Sequence, residues 1–169
     1  MGVILCLALF IGVGFLIDKA LTAASKATNK HVLFRSEYKT ERELISDPLT
    51  FTTTAAREKI ERCLNQSIAP VPKDRIPLAG RAVIYEKANG SAGITYAFGN
   101  KASTTFTAVI AFRKSGEKTY VVFKFAQWLE RSGMLLAPDQ MKDFRQKVCG
   151  AFQKADPDVR IAGAPRSEG

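Results

Sequence analysis

The sequence predicts an α+β chain in which an N-terminal transmembrane helix leads into a curved antiparallel sheet packed against a long C-terminal helix. Three observations carry that expectation. Residues Met1–Ile17 contain no charged side chain. Residues 81–125 hold four runs of alternating character separated by sharp turns. Residues 138–155 repeat apolar side chains at helical spacing. The organisation that follows is a transmembrane anchor over 1–24, a juxtamembrane connector over 25–30, a single α+β domain over 31–161 and a disordered tail over 162–169.

As a helix the uncharged opening rises roughly 25 Å, and one more turn with Lys19 snorkelling lets it span. A cleaved signal peptide is the rival, but its apolar core would be shorter and preceded by positive charge. Lys19, Lys26, Lys30, Arg35 and Lys39 all follow the span. Their position predicts a single-pass protein with its domain on the cytoplasmic side. Under the rival reading the domain is exported after cleavage. The lipid bilayer is thus the first expected partner, through residues 1–24.

After the connector, His31–Thr40 places Val32, Phe34, Ser36 and Tyr38 on one face and predicts a strand. Ser46-Asp47-Pro48 marks a turn, and Leu49, Phe51 and Thr53 alternate in a second short strand. A helix follows, with Thr53 or Thr54 as its cap. Ala56, Ile60, Cys63 or Leu64, and Ser67 or Ile68 form its apolar stripe, Glu58–Arg62 an i,i+4 pair, and Pro70 with Pro72 its stop. Four strands are then predicted, over 81–87, 93–98, 104–113 and 118–125. Asn89-Gly90, Gly99-Asn100 and Lys114–Glu117 turn the chain between them, so the pairing is antiparallel. The last helix starts at Pro138. Met141, Phe144, Val148, Ala151 or Phe152, and Ala155 form its apolar stripe.

At residues 51–64 (FTTTAAREKIERCL) the chain resembles the opening of the START/Bet v 1-like helix-grip superfamily, with Ala55, Glu58 and Ile60 at the matching small, acidic and aliphatic positions. The resemblance implies a helix-grip sheet and an apolar cavity between sheet and C-terminal helix that takes a lipid or another hydrophobic ligand. A TATA-binding-protein-like sheet with helices on one side accounts for the same order of elements.

Chemistry is sparse. His31 is the single histidine and lies beside the connector, so no histidine-based triad or metal site has a partner residue. Cys6, Cys63 and Cys149 form no CxxC pair. Gly90-Ser91-Ala92-Gly93 sits in a hairpin with no helix after it, so it reads as a turn rather than a phosphate cradle. Glu37, Glu41 and Glu43, and Asp156 with Asp158, lack a cation-loop pattern. Trp128, Leu129, Met134, Leu135 and Leu136 gather apolar surface just past the last strand. No catalytic residue, cofactor or metal is therefore expected.

The net charge is +9 and the pI about 9.6, with no run of five like charges. Nucleic acid is not expected as a partner, because Phe106, Phe112, Phe123 and Phe125 read as core rather than as a stacking platform. The function expected is a non-enzymatic partner-binding or scaffolding module for an unidentified protein. The alternative is a hydrophobic-ligand site lined by Phe106, Ile110, Phe112, Phe123, Phe125, Phe144 and Phe152.

Overall fold

The computed structural model describes residues 35–163, with side chains from residue 39 onward. The chain divides into two units, residues 1–40 and 41–169. The second is a mixed α/β domain with an antiparallel sheet and a C-terminal helix.

Helix α1 spans Arg35–Ser46, where the sequence predicts a strand as far as Thr40. Ser36 and Tyr38 alternate by coincidence in a segment rich in Glu, Lys and Arg, which suit a helix. Leu44 and Glu41 are the residues it buries. The predicted connector and the remainder of that strand lie outside the described residues.

Strand β1 (Leu49–Thr53) follows the Asp47-Pro48 break. Helix α2 (Arg57–Ile68) buries Ile60, Leu64 and Ile68 and ends at Ala69, whose φ of 50° is left-handed. Pro70 then bars another turn. Strands β2 (Val83–Gly90), β3 (Gly93–Gly99), β4 (Thr104–Ser115) and β5 (Lys118–Trp128) form a meander. The first hairpin turns on Ser91-Ala92, because Gly90 and Gly93 are themselves paired. A Cβ on Gly93 would collide with the Ile110 carbonyl, so the close strand approach there requires glycine. Short strands β6 (Glu130–Arg131) and β7 (Met134–Leu135) pair in a separate ribbon before helix α3 (Pro138–Ala155).

The chain then returns as β8 (Arg160–Ala162), so Ala162 lies in a strand rather than in the expected tail. Residues 164–169 lie outside the described ones. The six-stranded sheet has the order β2-β3-β4-β5-β1-β8. Thus β1 is an interior strand, paired with β5 on one side and β8 on the other.

Helices α2 and α3 cover one face of this sheet. Phe51 stacks on Phe152 with ring centroids 4.1 Å apart. Phe144 meets Tyr96, Phe106, Phe123 and Phe125 at 5.6–6.4 Å. Edge-to-face and offset pairs at these separations add to the stabilisation from area burial alone.

The predicted fold class needs correction. Among the described residues no helix is long and apolar enough to cross a membrane. The longest, α3, has 18 residues and carries Lys142, Lys147 and Lys154, so it is a core helix with a wet side. The segment 1–24 assigned to a transmembrane anchor lies outside the described residues.

Candidate functional site

The seven side chains expected to line a ligand cavity divide into two groups. Phe106, Ile110, Phe123, Phe125, Phe144 and Phe152 are all buried, on the helix-covered face or on α3. Among them Phe106 meets Phe125 at 5.4 Å and Phe123 meets Phe125 at 5.2 Å, while Phe152 stacks on Phe51. Phe112 packs against this core but is only half-buried, with the Arg57 guanidinium 4.8 Å over its ring. Of the START/Bet v 1-like positions, Ile60 is buried, Ala55 is partly buried and Glu58 is exposed.

Arg57 opens α2 and is half-buried. It pairs with Glu61 at 2.6 Å and donates to the carbonyls of Ser91 and Gly90 at 2.7 and 2.6 Å. A fourth bond reaches Asn89 Oδ1 at 3.2 Å. It thereby ties α2 to the first hairpin. The expected Glu58–Arg62 ion pair gives way to this one; Arg62 instead reaches the Glu58 carbonyl at 3.4 Å.

A second tie joins the end of α3 to β1. The Asp156 carboxylate accepts the Thr53 hydroxyl at 2.6 Å and the Thr54 N–H at 3.0 Å. Those bonds hold its pKa below the ordinary aspartate value, the Thr53 hydroxyl being the largest cause. Thr53 is therefore an anchor for Asp156 and not a helix cap; α2 has no side-chain cap.

Other titratable groups are shifted by burial. The Tyr96 phenol is pushed up by desolvation first, then by the charges of Glu86 and Glu61. Burial raises the Cys149 thiol, which makes it a poor nucleophile. Burial likewise lowers Arg145, which donates to the Gly163 carbonyl at 3.0 Å and so fastens the chain beyond β8. Cys63 and Cys149 are free thiols, both partly buried. Trp128 is half-buried and donates to Glu130 at 2.9 Å. Among the described residues no group of three His, Cys, Asp or Glu is arranged to hold a metal. His31 and Cys6 lie outside them.

The opposite face of the sheet is where surface chemistry gathers. Strand alternation and register set Ala111, Val122 and Thr50 in one row across the sheet, and Arg113, Tyr120, Thr52 and Arg160 in the next. Lys118 and Lys124 lie on the same side of β5. Tyr120 and Val122 are 39% and 38% exposed, unusual for large apolar side chains in interior strands. A cleft of about 580 Å³ is lined by Ala111, Val122 and Tyr120 together with Phe112, Arg113 and Ser115. A second, of about 440 Å³, shares Tyr120 and continues past Thr52 and Lys118 to Arg160, Asp156 and Asp158. No Asp or Glu takes an outward position on β3, β4, β5 or β1.

Sequence reasoning missed this face because it scored the alternation of β4 and β5 only for its inner side. The signal was present in the intervening residues Arg113, Lys118, Tyr120, Val122 and Lys124. Comparison with models of protein families, with curated proteins and with solved structures returns no match.

Proposed function

We propose that this chain is a non-enzymatic partner-binding module that docks through the open face of its sheet. The observation that carries the reading is the exposed pair Tyr120 and Val122, lying on interior strands yet left uncovered by α2 and α3. A strand between two neighbours does not need a solvent-facing valine and tyrosine side by side for its own stability; exposed apolar surface in a cleft rimmed by polar groups marks a binding surface. The small floor, Ala111 and Val122, lets another backbone approach closely, while the cations around it select by charge.

The test uses a photo-crosslinking amino acid in place of Val122, in the full chain, in the cell that makes it. A control chain carries the same group at Lys142, on the wet side of α3. Covalent adducts are expected from position 122 and not from 142. No adduct from 122, or equal adducts from both, refutes the proposal.

A further inference from the structure

Resting on that reading, we infer that the occupant of the open sheet face is an acidic segment of a protein partner, with carboxylates bracketing a short apolar stretch. The order of side chains along β5 dictates the pattern. Lys118 and Lys124 stand six positions apart on one face, about 20 Å along a strand. Between them lie Tyr120 and Val122, and across the ladder from these lie Arg113 and Ala111. The surface is therefore cationic at both ends and apolar in the middle. Opposite charges at the ends and small aliphatic groups at the centre complement it; a like-charged segment would be repelled along its whole length. The carboxylates beside this face, Asp156 and Asp158, lie past Thr52 at the β8 side, and Asp156 is engaged by Thr53 and Thr54. Lys118 borders the second cleft with those carboxylates and follows Glu117 in the turn, but neither β4 nor β5 carries an Asp or Glu of its own, so the acidic segment belongs over these two strands.

Two other anionic partners fit less well. A single-stranded nucleic acid gains affinity from one exposed stacking ring per base, and of the two aromatics lining the cleft only Tyr120 is exposed; Phe112 is half-buried beneath the Arg57 guanidinium. A bilayer surface is flat, whereas this site is a recessed cleft of about 580 Å³ that a narrow chain segment fills.

The experiment maps the adduct formed from position 122 by mass spectrometry and then measures binding of a synthetic peptide spanning the cross-linked segment to the full chain. The expected adduct is a peptide with acidic residues on both sides of apolar ones. Its dissociation constant is expected to rise at least about tenfold in the double variant Arg113→Glu, Lys118→Glu, and to rise with salt. Both positions are exposed, so the variant should keep the wild-type melting temperature; Arg113→Gln, Lys118→Gln serves if it does not. A nucleic-acid or lipid adduct, a peptide without acidic residues, or an affinity indifferent to the charge change overturns the inference while leaving a docking face in place. Absence of any adduct removes the docking face as well.

Discussion

Truncating Phe144 to alanine tests whether the space between sheet and α3 is filled. Phe144 is fully buried and its ring meets four other aromatic rings within 6.4 Å. Removing it takes away the transfer energy of the ring and leaves a void that aromatic neighbours on a paired sheet close poorly. The expected loss is about 3–5 kcal/mol. A domain of roughly 130 residues has an unfolding entropy near 0.27 kcal/mol/K, so about 4 kcal/mol lowers Tm by about 15 °C. Phe112→Ala provides the contrast. That ring is half-buried and loses partial burial and the Arg57 contact, worth about 1–1.5 kcal/mol or about 5 °C. Circular-dichroism melts, with urea titrations to check that the m-value is unchanged, measure both. A Phe144→Ala loss no greater than that of Phe112→Ala would refute the argument. It would mean that the rings do not fill their surroundings, and that room for a ligand exists there after all.

Three further outcomes follow from the same contacts. Asp156 has a folded pKa below its unfolded value, so its contribution is fully present above the ordinary aspartate range and fades as pH falls through the depressed value. Asp156→Asn should therefore lower Tm at pH 7, by an amount that shrinks as paired melts are taken to progressively lower pH. Arg57→Ala removes three bonds to the first hairpin and should cost about 1–2 kcal/mol, with hydrogen exchange quickened most at the Phe112 amide, which donates to Ala92. Gly93→Ala sets a methyl group against the Ile110 carbonyl and should cost more than about 1 kcal/mol, whereas Gly90→Ala meets open space and should cost less in the same melt.

Much of the domain could be read from residue order because its signals are local. Pro138 and the spacing of Met141, Phe144, Val148 and Phe152 define α3, and alternation in 104–125 defines β4 and β5. Elements that depend on distant partners were not legible. Nothing in Arg160-Ile161-Ala162 announces a strand; it is one because β1 offers an unpaired edge. The 31–40 stretch misled because alternation over a few residues suits either periodicity, and helix α1 is settled by burial of Leu44 and by Glu41, which accepts the Leu135 N–H at 3.2 Å. The open face was in the sequence, but exposed strand positions carry no periodic signal of their own beyond the core they interrupt.

The placement of β1 bears on how the chain is made. Its strand leaves the ribosome before the rest of the sheet, yet its neighbours are β5 and β8, and the Thr53–Asp156 tie spans 103 positions. During synthesis β1 must wait with one backbone edge unsatisfied until β5 emerges and with the other until β8 does, near the end of the domain. Non-local closure of this kind makes for slow folding. A nascent chain stalled before residue 160 would expose one side of Leu49–Thr53 as a ready template for strand pairing with another molecule.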